Sequence, residues 1–173
     1  MSSPKVKAFH IGVAAEAFAA AQFARCGVDV SVQYGPNQPE YDLVISRKPK
    51  LLKVSVKGSQ EGKWGLTQSF LEIGTADYQG AIQRWLEKHD PKTIFCLVQF
   101  KDVPLNELPR MYLAPPSEIA QRLGETANGR GETQLYERHT WAANAVAAGT
   151  NEEIPKNWIF TPDRLNEMID FAD

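Results

Sequence analysis

Two strands and the turn between them constrain this chain more than any other feature. Tyr41-Asp42-Leu43-Val44-Ile45 is followed by the basic break Arg47-Lys48-Pro49-Lys50 and then by Leu51-Leu52-Lys53-Val54-Ser55-Val56-Lys57-Gly58. Alternation with a period of two marks half-buried strands. With the turn centred on Lys48 and Pro49, Ser46 opposes Leu51, Asp42 opposes Ser55, and Lys57 is the diagonal neighbour. Opposed side chains then sit about 5 Å apart and diagonal ones about 7–8 Å. Tyr41, Leu43, Ile45, Leu52, Val54 and Val56 form an apolar face, and Asp42, Ser46, Lys53, Ser55 and Lys57 a polar one. A slip of one residue would mix the two. Taken alone, the polar face is the ordinary solvated side of an antiparallel hairpin.

The elements around the hairpin place it in a larger sheet. Residues 8–26 are alanine-rich, free of proline and stopped by Gly27, which predicts a helix. Val28 to Tyr34 reads as a strand, Gly35 to Pro39 as a loop, and Trp64 to Ile73 as extended. Tyr78, Ala81, Ile82, Trp85 and Leu86 make one stripe of a helix over 77–89, and Thr93 to Phe100 is a fully apolar, central strand. A short strand follows at 110–113, a helix from Pro116 to Gly124, a late strand at 134–139, and a last helix opened by Thr161-Pro162-Asp163 and running to about Ile169. Strands joined by short turns pair antiparallel, and the helix over 77–89 is long enough for a crossover. The fold class is α/β, a mixed sheet flanked by helices.

Length and composition suit one domain over 1–173, with a core over about 9–100 and a C-terminal α/β extension over about 101–173. The net charge of −2 gives no general affinity for polyanions. Cys26 and Cys96 lie in apolar segments and read as reduced core residues of a cytoplasmic protein. Lys5 and Lys7 before an alanine-rich stretch resemble a secretory leader, but His10, Glu16 and Gln22 interrupt its centre. No apolar run approaches the roughly 18 residues of a membrane span, so no membrane partner is expected.

Glu16 is the only acid between Met1 and Arg25, and it shares a helical row with Phe9, Gly12, Val13, Ala20 and Phe23. A carboxylate in such a row is costly unless paired, hydrogen-bonded or bound to a metal. A structural salt bridge to a hairpin lysine would satisfy it, and so would delivery across the sheet toward Asp42 and Lys57. From Asp42 to Lys63 six basic residues face two acids, whereas from Asn151 to Asp173 six acids face two basic residues. A basic ridge carrying Lys48, Lys50, Lys53 and Lys63 is compatible with a phosphate backbone; Trp64, Trp85, Trp141 and Trp158 are more often core than stacking platforms, and Trp64 beside the ridge is the candidate for stacking.

Glu in the first helix, then Tyr-Asp-Leu-Val, then Val-Ser-Val-Lys-Gly-Ser resembles the PD-(D/E)XK, or restriction-endonuclease-like, nuclease superfamily. The resemblance is nearest to its Holliday-junction-resolvase-like and small uncharacterised members, and covers roughly residues 9–100. It implies a helix–strand–strand–strand–helix–strand core and Mg²⁺- or Mn²⁺-dependent cleavage of DNA, in repair, recombination or defence. By position, Asp42 and Glu16 match the metal-binding carboxylates, the backbone carbonyl of Val56 the neutral ligand, and Lys57 the lysine that assists attack and stabilises charge on the phosphate. Ser55 stands where the superfamily has an acid or glutamine. That departure removes a negative charge from the metal site, unless an acid such as Glu61 or Glu72 replaces it, and it motivates the alternative of an inactive nuclease fold that binds nucleic acid or a protein.

Other chemistries lack their patterns. His10, His89 and His139 are scattered without ligand spacing, and two distant cysteines make no zinc site. Gly124, Gly129 and Gly131 lack the Gly-Lys-Ser/Thr of a phosphate loop, and no serine sits in a Gly-x-Ser-x-Gly elbow. A purely structural interaction protein is the third reading. Nothing in the sequence fixes the oligomeric state, and a homodimer stays open.

Overall fold

The computed structural model describes residues 6–34, 40–145 and 147–172; the loop expected over 35–39 lies outside the described residues. Helix α1 (Ala8–Arg25) ends as Gly27 enters the left-handed region with φ of 75°. Strands β1 (Asp29–Val32), β2 (Leu43–Arg47) and β3 (Lys50–Ser59) pair antiparallel in succession. The β2–β3 register sets Ser46 against Leu51 and Leu43 against Val54, as the turn position predicts. A short strand β4 (Lys63–Gly65) leads through a 3-10 turn at Gln68–Phe70 to helix α2 (Tyr78–Lys88). Asp77 caps α2 by accepting the Gly80 N–H at 2.9 Å. The helix crosses over to β5 (Ile94–Gln99), which runs parallel to β3, and β6 (Arg110–Ala114) pairs antiparallel with β5. The central sheet therefore has the order β1-β2-β3-β5-β6.

The remaining elements are α3 (Pro116–Glu125), β7 (Gln134–Tyr136), β8 (Arg138–Thr140), β9 (Asn151–Glu153) and α4 (Pro162–Phe171). Thr161 caps α4 by accepting the Arg164 N–H at 3.1 Å. Three stretches differ from expectation. The first strand is shorter than 28–34. Trp64 to Ile73 is extended only at its start, because β4 has one partner and that partner, β7, is three residues long. The run 134–139 divides, since β7 joins β4 while β8 joins β9. Glu137, at the division, turns its side chain inward to Arg110 and Tyr112.

Strand parity distributes the core. On one face Leu43, Ile45, Leu52, Val54, Val56, Ile94, Cys96 and Val98 meet Ala15, Ala19 and Phe23 of α1 and Leu165 and Met168 of α4. On the other, Phe95, Leu97, Tyr112 and Ala114 meet Ile82 and Trp85 of α2, Ile119 and Leu123 of α3, and Trp64. All six residues of β5 are buried, as a strand covered on both faces requires. No helix among the described residues is long and apolar enough to cross a membrane.

Two contacts fix the end of β3 in place. A Cβ on Gly58 would lie 2.8 Å from both the Ala15 Cβ and the Ile11 carbonyl oxygen, so α1 seats directly on the β3 backbone there. Glu137 accepts both Arg110 Nε (2.7 Å) and Nη2 (2.8 Å) and the Tyr112 hydroxyl (2.7 Å). Burial pushes the Glu137 carboxyl up, but the bonds from Arg110 and Tyr112 outweigh it and hold the carboxyl below its ordinary range. Its stabilisation is therefore present above the ordinary carboxylate range and is lost as the pH falls through the depressed value.

Gly58→Ala is expected to destabilise the fold by about 1–3 kcal/mol, as over-packing does, measured as a lower urea midpoint at constant slope. Glu137→Leu leaves the buried Tyr112 hydroxyl unpaired and takes the carboxylate partner from the exposed Arg110, and should cost about 1–3 kcal/mol. In urea titrations its deficit at pH 7 should shrink at acid pH, where wild-type Glu137 is protonated too.

Candidate active site

Because β2 begins at Leu43, β3 has no antiparallel neighbour beyond Val54. Asp42 stands at that break. Its N–H donates to the Val54 carbonyl at 2.9 Å, and its carboxylate oxygen Oδ2 accepts the Val56 N–H at 2.6 Å. In an extended strand the N–H and C=O of one residue point to the same edge, so the Val56 carbonyl lies on the Asp42 edge as well. A charge-assisted bond of this length holds the carboxylate firmly. Oδ1 makes no hydrogen bond among the described residues, which leaves it available to a ligand.

The free edge of β3 separates two clefts, and Lys57, Gly65 and Leu66 line both. The first, of about 610 Å³, holds Asp42, Ser55 and Lys57 over a floor that includes Trp85 and Phe95, with Glu40, Phe70, Lys88 and His89 around it. The second, of about 600 Å³, lies toward the start of α1 and carries Lys7, Lys57 and Lys63 against the single acid Glu61. Ser55 is 1% exposed, between Phe95 of β5 and the cleft. The Lys57 ammonium forms no ion pair among the described residues, while its backbone carbonyl accepts the Trp64 indole N–H at 3.0 Å. That bond ties the lysine-bearing segment to β4.

Asp42, Ser55 and Lys57 thus meet in one cleft. Glu16 reaches them differently from the expected delivery across the sheet. Helix α1 packs on the face of Val54 and Val56, opposite to Ser55 and Lys57, so Glu16 does not line the Asp42 cleft. It is nonetheless coupled to both charged groups. Burial first, then the Asp42 carboxylate, pushes the Glu16 carboxyl above its ordinary range, while the Lys57 ammonium pulls it down. Among the described residues no three His, Cys, Asp or Glu side chains gather closely enough to hold a metal.

The other candidates separate. Lys48 and Lys50 belong to the hairpin turn, at the far end from Asp42, and Lys50 pairs with Asp170 of α4 at 2.9 Å. Lys53 shares the face of Ser55 and Lys57 but pairs with Asp90 at 3.4 Å and lies over the Tyr41 ring. Lys63 does line the lysine-rich cleft. Trp64 is 3% exposed and packs edge-on against Tyr112, so it belongs to the core and not to a stacking surface. Glu61 opens onto the lysine-rich cleft, and Glu72 pairs with Arg84 at 3.6 Å. Neither joins Asp42. The acid that does is Glu40, which the sequence reading missed. It stands two residues before Asp42, the spacing that puts two side chains on one face of an extended segment, and it faces His89 Nε2 at 3.7 Å. His89 donates Nδ1–H to the Trp85 carbonyl at 2.7 Å and packs on the Trp85 and Phe95 rings. No sequence signal joins His89 or Phe70 to the hairpin, since α2 and the turn before it bring them there.

A carboxyl whose pKa is raised by folding favours the folded state only when protonated, and its ionised form weakens the fold at neutral pH. Glu16→Gln should therefore raise the melting temperature at pH 7 by up to a few degrees, with the gain vanishing toward pH 4. Differential scanning calorimetry at the two pH values measures it, and a loss of stability at pH 7 would show that Glu16 serves as a structural ion pair instead.

No family model and no curated protein matches the sequence. Among solved structures the chain is similar to a bacterial homing endonuclease, I-Ssp6803I, with a TM-score of 0.50 and 13% identity over 95% of each chain. It also matches Hjc, a Holliday junction resolvase from the archaeal hyperthermophile Archaeoglobus fulgidus, with a TM-score of 0.41 and 14% identity over 73% of this chain and 84% of that one. With the helix, hairpin and crossover order described above, the fold of this chain is restriction-endonuclease-like.

Proposed function

We propose that this protein is a divalent-metal-dependent DNA phosphodiesterase whose reaction takes place at the Asp42–Lys57 cleft. The observation that carries the proposal is the convergence, at the broken edge between β2 and β3, of an anchored carboxylate and an ammonium with no ion pair among the described residues. The fold shared with a homing endonuclease supports it.

The donor set suits a hard cation. Mg²⁺ takes oxygen ligands, commonly one or two carboxylates, and fills its other positions with water and substrate phosphate. Asp42 Oδ1, the Val56 carbonyl and one further carboxylate, Glu16 or Glu40, would make such a set, and fewer than three acids is no obstacle to it. Bound there, Mg²⁺ or Mn²⁺ supplies Lewis-acid polarisation and a lowered pKa for bound water. The chain's own groups do the rest. The Val56 N–H fixes the Asp42 carboxylate, Trp64 fixes the Lys57 backbone, and the Lys57 ammonium donates to a phosphate oxygen as negative charge develops.

A second reading rests on Ser55, a neutral group where the resembled nucleases carry an acid or glutamine. It makes the chain an inactive nuclease fold that binds DNA through Lys57 and Lys63, with salt-dependent affinity and no turnover.

Calorimetric titration should show Mn²⁺ or Mg²⁺ binding by wild type that is lost in Asp42→Ala, and comparison of Glu16→Gln with Glu40→Gln identifies the second carboxylate. DNA cleavage in the presence of that metal should fall at least about 100-fold in Lys57→Ala, the scale of removing one charge-stabilising donor. Cleavage that survives both Asp42→Ala and Lys57→Ala ends the first reading, and metal-independent binding without turnover establishes the second.

A further inference from the structure

We propose that the Asp42 cleft seats an unpaired nucleobase, so that the strand engaged at Lys57 is single or locally opened and not intact duplex. This rests on the DNA-directed reading above and adds the substrate's form to it. The two clefts that meet at Lys57 differ in chemistry. The lysine-rich one, with Lys7, Lys57 and Lys63 against Glu61, suits the anionic sugar–phosphate chain. The other is aromatic. Trp85 and Phe95 are fully packed beneath it, His89 lies against both at 4.5 Å and 5.3 Å between ring centroids, and the half-buried Phe70 forms part of the wall.

The Lys88 ammonium sits 5.3 Å over the Phe70 ring, a cation–π contact on the cleft wall, and a base that stacks on that face takes the lysine's place. The Ser55 hydroxyl and the Glu40 carboxylate offer hydrogen-bonding groups for a base edge. A volume of about 610 Å³ is that of a small-ligand site. Bases inside a duplex expose only their edges in the grooves, and their faces become available only when they leave the stack. An aromatic pocket joined through one lysine to a cationic groove fits a strand whose phosphates run along the lysines while one base turns inward. Stacking of this kind tolerates any base, because every base has a π face.

The test is binding without divalent metal, read by fluorescence anisotropy. The probes are an end-labelled oligothymidylate of eight nucleotides, an eight-unit abasic deoxyribose-phosphate strand of equal charge, and a duplex of equal length. Wild type should bind the base-bearing strand about 5- to 150-fold tighter than the abasic one, the fold-change that corresponds to a stacking contribution of about 1–3 kcal/mol. It should also prefer that strand to the duplex. Phe70→Leu, which keeps apolar bulk and removes the ring, should bring the base-bearing strand close to the abasic one. Lys63→Ala should weaken both single strands by the same factor. Equal wild-type affinity for the base-bearing and abasic strands, or tighter binding of duplex, overturns the proposal. Metal-dependent duplex cleavage that still requires Asp42 and Lys57 would in that case leave the phosphodiesterase reading standing. Failure to bind any of the three probes, with no cleavage, removes both.

Discussion

The register of the β2–β3 hairpin is the constraint on which the rest depends. The parity that buries Leu43, Ile45, Leu52, Val54 and Val56 against α1 obliges Ser55 and Lys57 to face the α2 side. Shifting the pairing by one residue would send Lys53, Ser55 and Lys57 into the α1 core and expose its apolar set. Selection for a buried core therefore also aims the candidate side chains, and no separate device is needed to orient them. What the hairpin adds is its unequal length. β3 outruns β2, and the Asp42 side chain takes up the first N–H left without a strand partner. A carboxylate so placed satisfies a backbone donor and still presents its second oxygen outward.

Helix α1 turns that edge into a site with two sides. Its approach to Gly58 is closer than any side chain would permit, and the same seating brings Glu16 near enough to feel Asp42 and Lys57. Two mutually repelling carboxyls near one ammonium weaken a fold unless a ligand compensates them. The Arg110–Glu137–Tyr112 network is the opposite case, because every charge there is matched and the carboxyl is held in its ionised form.

The hairpin, its register and the buried β5 were legible because periods of two and unbroken apolar runs are local signals. Asp42 and Lys57 inherit that legibility, since register alone places them. Glu16 was legible as a misplaced charge, but a helical wheel does not say which face of a sheet the helix will cover. Trp64 could be read as core or as a stacking residue because its surroundings in sequence are polar and basic, whereas its burial comes from β7 and Tyr112, contributed by residues far along the chain. The charges of Lys50 and Lys53 are equally plain in the sequence, yet their partners Asp170 and Asp90 are brought by α4 and by the turn after α2. Glu40, Phe70 and His89 converge only once the crossover helix is in place.

Ser55 is where these arguments meet. Its position lies at the base of the cleft beside Phe95, with Trp85 below, almost wholly removed from water. A carboxylate there would carry a large desolvation penalty unless a cation stayed close, whereas a hydroxyl carries little. With serine in place, the cleft's negative charge is confined to Glu40 and Asp42, and its floor is neutral and aromatic. On the proposed reading, a cation there would be held toward the β3 edge, where Asp42 Oδ1 and the Val56 carbonyl lie, and away from the floor. In that reading the space beside the half-buried Phe70 is then left to something uncharged and flat. On the proposed reading, one substitution both loosens the hold on metal and opens the space for a base, so the weakened metal site and the aromatic pocket have a single physical origin.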